Sequence, residues 1–441
     1  MRLRRTGVLA VAAVTSLAMG ACSAGSLGSS DSNSSGGKVS LTYYVGNSEN
    51  SVRTADQVTK DFMAKNPNIT VKVESHPEGS DGDNLVKTRL STGDMPEVFG
   101  YNTGSLFQAI APEKNLVPLD DQPWAGQIDD NFKKTVTAGG KVYGAPSGTF
   151  SAGAVMYNRA VYSKLNLQVP KTWAEFMANS AKIKAAGIDP IIQTYQQTWT
   201  SQLFVLGDFH NVLINEPDFP DKYTKNQAKY ATDPYAIKGF EHQQQAHDAG
   251  YFNKDFASAT LNDGMKAVAT GKAAHYPQLG GSAANIENVA PGKTDDVGFF
   301  ALPGADAAHN GMTVWPGTSA MYIPKSVEGA KADAAKKFVA FAATQEGCDA
   351  SATGAPPQGP FLSKACKLPA DVSQVAKDTQ AYFDSEKASP ALEFKSPIKG
   401  PALEQICIQV GTGQVDAKKG AELYDQDVKK QAQQLGLPGW E

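Results

Sequence analysis

The feature that most restricts the fold is a regular switch between two hydrophobic periods from residue 40 to residue 101. Residues 40 to 45 alternate Leu41, Tyr43 and Val45 against Thr42 and Tyr44, the period-two pattern of a strand. The period then lengthens. Ala55, Val58 and Phe62 share one face of a helix expected to begin at Thr54, where Thr54 and Gln57 can form a capping box, and Asn66-Pro67 stops it. Ile69, Val71 and Val73 make a second strand, Leu85 to Leu90 a second helix closed near Gly93, and Val98 to Tyr101 a third strand. This β-α-β-α-β order is the unit of an open parallel sheet in an α/β fold. Ligands of such sheets sit beyond the carboxyl ends of the strands. Three polar loops are thereby nominated: Gly46-Asn47-Ser48-Glu49, Ser75-His76-Pro77-Glu78 and Asn102-Thr103-Gly104. Asn47, Glu49, Glu78, Asn102 and Thr103 supply the donors and acceptors that hydroxyl recognition requires.

A chain of 441 residues is too long for one ordinary core, so two lobes are expected. The formal net charge is -4, and no stretch gathers Lys and Arg into a face that could neutralise several phosphates, which argues against nucleic acid as a partner.

At the N-terminus Arg2, Arg4 and Arg5 precede a short apolar run, Val8 to Leu17, which ends in Met19-Gly20-Ala21-Cys22. The run is too short to span a bilayer. It looks like the lipobox of bacterial lipoprotein signals, with Met19 where that pattern prefers Leu. Residues 1–21 are then a signal peptide and Cys22 the lipidated first residue of the exported chain. Residues 22–37 hold almost nothing apolar to bury and read as a disordered tether. With Cys22 assigned to lipid, Cys348, Cys366 and Cys407 remain. Export permits a disulfide, and pairing Cys348 with Cys366 closes a short Pro/Gly-rich loop, so that pairing is favoured. Cys407, beside Leu403, Ile406 and Ile408, reads as a small buried hydrophobe.

The alternation resumes beyond residue 150. A strand is expected near Ala154 to Tyr157, then a helix with a capping box from Thr172 to Glu175 that buries Trp173, Phe176 and Ile183 and closes at Gly187. Further strands are expected at 190–194, 273–276, 297–302 and 319–323, with helices near 235–249 and 327–343 and a helical tail from Ala370.

Gly140-Lys141-Val142-Tyr143-Gly144-Ala145-Pro146, Met156-Tyr157-Asn158-Arg159 and Val169-Pro170-Lys171-Thr172-Trp173-Ala174-Glu175-Phe176 resemble signatures of the family 1 extracellular solute-binding proteins. Gly93-Asp94-Met95-Pro96-Glu97-Val98 and Gly271-Lys272-Ala273-Ala274 are similar to two further elements of that family, and the match runs from about residue 40 to nearly the end. The resemblance, closest to carbohydrate-binding lipoproteins of the actinobacterial type, implies a two-lobed periplasmic-binding-protein-like fold of type II. Its lobes would close on ligand across an interlobe cleft, with a hinge that the chain crosses more than once. Matching segments puts the first lobe at 38–147 plus 300–347 and the second at 148–299 plus 348–441, with Pro146 to Thr149 as one crossing. The implied partners are a sugar or oligosaccharide ligand, two permease subunits and a cytoplasmic ATPase of an ABC importer, and the membrane through the lipid anchor. The protein would work as a monomer on the extracellular face of the cell membrane.

Catalytic patterns fail. The sequence has no GxSxG elbow, HExxH helix, Walker A loop or GxGxxG. Ser396-x-x-Lys399 lacks its partner motifs, and Asp81-x-Asp83 lacks the remaining calcium ligands. His242 and His247 lie five apart, off metal-ligand spacing, and read as solvated helix surface. No metal and no cofactor are expected. A glycan hydrolase survives as an alternative because two carboxylates can come from anywhere in a fold, and the same fold could hold a polar solute that is not a sugar. The nominated loops contain no Arg or Lys, which favours a neutral ligand over an anionic one. The positive signal is aromatic, since sugar rings present apolar C–H faces to flat side chains. Trp199, amid Gln196, Gln197 and Thr198, sits in a loop that the resemblance places in the cleft. Trp315 lies just before a strand at the second crossing, and Tyr276 and Gln278 precede another loop that the family uses in the cleft. Trp199 is expected to stack on the sugar, with Asn47, Glu49, Asn102, Gln196 and Gln278 at its hydroxyls. Trp173 is expected in the core.

Overall fold

In the computed structural model, which describes residues 37–441, the first elements follow the expected alternation. The signal peptide, Cys22 and all but the last residue of the tether lie outside the described residues. The strand Val39–Gly46 runs parallel to Ile69–His76 on one side and to Val98–Asn102 on the other. Ser319–Tyr322 and Ala145–Pro146 extend this sheet antiparallel, giving five strands. Helices cover it: Phe62, on the apolar face of the helix Glu49–Lys65, meets Phe338 at 5.0 Å between ring centroids, and Tyr43 meets Phe338 at 5.4 Å. That helix starts five residues before the expected Thr54. Ser48 caps it by accepting a hydrogen bond from the Ser51 amide, which leaves Thr54 within the second turn. Two caps stand where the sequence places them: Gly93 ends the second helix with φ 80°, open to glycine at little cost, and Thr172 and Glu175 make their reciprocal capping box.

A second sheet of six strands is built around Ser151–Asn158. Ala273–Leu279 pairs with it antiparallel on one edge, and Met312–Trp315 and Val297–Phe300 share the other. Asp189–Ile191 and Ala388–Pro390 form the margins. Helices from the middle and the end of the chain pack on this sheet and on one another, with Phe240, Tyr230 and Tyr424 at the centre of the helical part. These two sheets, each with its own core, are the two lobes of the type II fold.

The strand pairing moves two of the expected boundaries. Phe300 and the strand Met312–Trp315 pair within the second sheet, so the second crossing falls at 316–318 and not at 299. The helix Gln345–Gly354 packs on Glu49–Lys65, and Ala350 and Leu362 lie in the first core, so the first lobe extends past residue 347. Val375 is back in the second core, which places the third crossing before it. Hydrophobic alternation identifies a strand but carries no information about which sheet it joins.

Cys348 and Cys366 form a disulfide with Cα atoms 6.2 Å apart, and Cys407 is free and buried. The staple ties the Gln345–Gly354 helix to the strap that leads into the third crossing.

His242 corrects the surface reading. The helix Lys238–Asp248 buries Phe240, His242, Gln243 and Ala246, while His247 stays half-buried. His242 stacks on Trp173 with ring centroids 4.0 Å apart, and Trp173 is in the core as expected. Burial lowers the His242 pKa to about 3. Beside it lies the fully buried Asp208, whose pKa burial raises to about 8, although a hydrogen bond from Asn211 and the charge of Lys238 pull it down.

Candidate ligand cleft

The carboxyl ends of the three parallel strands open on a cleft between the lobes, with a cavity volume of about 480 Å³. A second hollow of about 260 Å³ continues it past Gly46, Ser51 and Gly148 toward the Gln345–Gly354 helix. Together they fall in the range of small-molecule sites, roughly 300–1,000 Å³.

On the first-lobe wall, the loop after Gly46 turns at once into a helix, and successive residues then point about 100° apart. Ser48, Asn50 and Ser51 line the cleft, while Asn47 and Glu49 are exposed and outside the lining. Those two expectations fail because the helix starts early. Glu78, Asn102 and Thr103 do line it. The Asn102 side-chain amide donates to Asp83 Oδ1 at 3.0 Å, and Thr103 Oγ1 donates to the Gly317 carbonyl at 2.6 Å, which fastens this wall to the second crossing. Burial raises the Asp83 pKa, Lys87 and Lys399 lower it, and Glu404 raises it further.

Trp199 stands on the second-lobe wall, half-buried in the 3₁₀ turn Thr198–Gln202. Residues three apart eclipse in a 3₁₀ turn, so Trp199 and Gln202 reach the cleft together. Gln196 is exposed and outside the lining. Trp315 lines the cleft but is 4% exposed, and its indole N–H donates to the Glu393 carboxylate. Its ring packs against the sheet at Gly153, where an added Cβ would come within 2.4 Å of it. Trp315 is therefore core and lining at once. Tyr276 and Gln278 do not reach the cleft. Both are fully buried: the Tyr276 hydroxyl pairs with Thr194 Oγ1 at 2.5 Å, and Gln278 Oε1 accepts from the Leu279 amide at 2.7 Å. Every residue of their strand but the last is buried, so neither face is free for a ligand.

The structure adds residues that the sequence did not nominate. Glu393, Phe394, Lys399 and Glu404, from one C-terminal segment, line the cleft beside Trp199 and Trp315. Lys399 and Glu393 pair at 3.1 Å. Burial opposes the charge on Lys399, but Glu393, Glu404 and Asp83 outweigh it and hold its pKa above the ordinary lysine range. Glu404 Oε2 accepts from Thr198 Oγ1 at 2.5 Å, and its carbonyl accepts from Ser201 at 2.8 Å, so this segment positions the Trp199 turn. The aromatic Phe394 between two charged residues was the one local signal. Ser396 is hydrogen-bonded to Thr224 at 2.8 Å and Lys399 to Glu393, so the Ser-x-x-Lys spacing brings no nucleophile and base together. Among the described residues no three His, Cys, Asp or Glu side chains converge as metal ligands.

Two contacts show the lobes approaching across the cleft. Gly104, at φ 64°, lies under the Glu393 carbonyl and the Phe394 ring, where a Cβ would stand 2.5 Å from the carbonyl oxygen. Arg53 Nη1 donates to Asn288 Oδ1 at 2.8 Å.

Comparison with known proteins agrees with this architecture. A multiple sugar-binding protein of Streptococcus mutans is 27% identical over 350 residues, covering 77% of this chain and 79% of that one. Among solved structures, a chitin oligosaccharide binding protein superposes with a TM-score of 0.78 at 22% identity, covering 90% of this chain and 99% of that one. A binding protein in complex with raffinose does so with a TM-score of 0.73 at 21% identity, covering 89% and 100%. The family model of the bacterial extracellular solute-binding proteins matches residues 46–347, more than half of the chain. The protein belongs to the bacterial extracellular solute-binding proteins.

Proposed function

We propose that the cleft captures a sugar, in particular an oligosaccharide, and that the closed, loaded protein delivers it to an ABC importer of two permease subunits and a cytoplasmic ATPase. The observation that carries this reading is the pairing of flat aromatic surface with hydroxyl-binding groups in one cleft: Trp199, Trp315 and Phe394 beside Asn50, Asn102 and Asn285. An aromatic face covers the apolar side of a pyranose while amides and hydroxyls take its edge. The sugar-binding names of the relatives support the same class. Because the residues come from both walls, a ligand that touches them all favours the closed state.

The protein leaves its ligand chemically unchanged and is held at the outer face of the membrane by acylated Cys22. A thermal-shift screen over mono- and oligosaccharides tests capture, because a ligand that binds only the folded state stabilises it by about 2.7 kcal/mol at a hundred times its Kd. No stabilisation by any sugar sinks the reading. Mass spectrometry of the ligand after incubation separates capture from hydrolysis: a binder returns it intact. Cys22→Ser should release the protein from cells into the medium, since acyl chains are its membrane attachment.

A further inference from the structure

We propose that the ligand carries a protonated amine, so that the cleft prefers an amino sugar with free amino groups over its neutral or N-acetylated counterpart. This rests on the sugar-capture reading above and narrows it. The charge census of the lining is lopsided: Glu78, Asp83, Glu393 and Glu404 face the cleft with Lys399 as the one Lys or Arg among the described lining residues. Lys399 is engaged by Glu393, with both side chains less than a fifth exposed. Asp83 and Glu404 share the charge of Lys399 only from beyond ion-pair contact, and their hydrogen bonds come from neutral donors, Asn102 and Thr198. Outside the lining, Lys87 acts on Asp83 only from a distance.

The unmet hydrogen-bonding positions point the same way. Among the buried side-chain atoms without a partner, three belong to cleft residues, His76 Nε2, Gln202 Oε1 and the Tyr101 hydroxyl. The residues are 8%, 6% and 4% exposed. His76 Nδ1 lies 2.6 Å from the Pro77 carbonyl, which can only accept, so in the neutral ring Nδ1 carries the proton and Nε2 is left as an acceptor. Gln202 Oε1 is an acceptor too, and of the three only the Tyr101 hydroxyl can also donate. One acceptor stands on each lobe, and the surplus carboxylates add more. A hydroxyl both donates and accepts, whereas an ammonium offers three donors, no acceptor and the missing charge.

The carboxylates also bear on closure. Glu78 and Asp83 belong to the first lobe and Glu393 and Glu404 to the second. Glu404 Oε2 reaches to 4.0 Å from where a Cβ would stand on Gly79, the first residue of the helix that carries Asp83. Bringing like charges together in a partly desolvated cleft opposes closing, and a cation between them removes the opposition. An amine is therefore bound most tightly in the closed state.

The test is calorimetric titration of the full chain at pH 6 with three probes: the glucosamine trimer, the N-acetylglucosamine trimer and cellotriose. The glucosamine trimer is expected to bind at least about tenfold tighter than either of the others, with the advantage shrinking as salt is raised. Asp83→Asn and Glu404→Gln should each narrow the ratio of amine to neutral affinity by about tenfold, read beside their ligand-free melting temperatures. Neutral trimers that bind as tightly as the amine overturn the inference and leave sugar capture standing. A wild-type ratio that both folded variants keep also overturns it. If no sugar binds at all, the capture reading falls with it.

Discussion

The two walls of the cleft are made from different material. The first-lobe wall consists of loops at the ends of consecutive parallel strands, within residues 46 to 103. The second-lobe wall assembles the Thr198–Gln202 turn, Trp315 and a C-terminal segment at 393–404, separated by as many as two hundred residues. The first wall supplies small polar groups on a stapled scaffold. The second supplies Trp199, Trp315, Phe394 and the one lining ammonium, on a scaffold that also buries Asp208 and His242. A wall built from one supersecondary unit can be read along the chain, and a wall built by convergence cannot.

The sharpest way to break this comparison is Trp315→Ala. If the ring is as much core as lining, truncation leaves a void under Gly153 and takes the indole donor from Glu393 Oε1, and should cost about 3–5 kcal/mol of stability. A ligand-free melting temperature that barely moves would falsify its core role.

Trp199→Ala tests the opposite case on the same wall. Its half-buried indole should contribute to ligand and little to the fold, so binding should weaken by roughly 2–4 kcal/mol, about thirtyfold to nearly a thousandfold, with the melting temperature nearly kept. Calorimetric affinity and ligand-free melting, taken together, decide it; lost stability with unchanged affinity would move Trp199 into the core.

The first lobe's scaffold is probed by its disulfide. Reduction, or Cys348→Ala with Cys366→Ala, should cost about 2–3 kcal/mol, because it frees a short loop in the unfolded chain. Thiol counting on the denatured, unreduced domain beginning after Cys22 should find one thiol, at Cys407; three would contradict the bond.

The last test lies in the second lobe's buried carboxyl. The Asp208 pKa, near 8, stands above its unfolded value, so the folded state holds that proton more tightly. Its stabilising share is complete below about pH 4 and is lost as pH rises toward 8. His242, lowered to about 3, acts in the other direction: its share is present above about pH 6.5 and is lost as pH falls toward 3. Between pH 5 and 8 the wild type should therefore lose about 3–4 kcal/mol more than Asp208→Asn, followed by denaturant unfolding at each pH. Parallel pH profiles would show that Asp208 is ionised in the fold.

The local decisions in this protein were legible because they depend on neighbours in sequence. The strands at 40–45 and 69–73, the cap at Gly93 and the box at Thr172 and Glu175 follow from period and capping chemistry, and Glu78, Asn102 and Thr103 reach the cleft because strand ends must. A one-element error in the same logic cost Asn47 and Glu49: Ser48 outcompeted Thr54 as the cap, and the early helix turned Asn50 and Ser51 inward in their place. The sequence by itself thus determined the α/β alternation and the family signatures, and it favoured the core position of Trp173 and the pairing of Cys348 with Cys366 that the structure shows. Tertiary structure alone decided which sheet took Phe300 and the strand Met312–Trp315, that Tyr276 and Gln278 are buried in it, and that Glu393, Phe394, Lys399 and Glu404 complete a cleft with Asp83. The physical reason is that period and capping act over a few residues, whereas a cleft's charge and its unpaired acceptors are set by which distant segments the packed cores bring face to face.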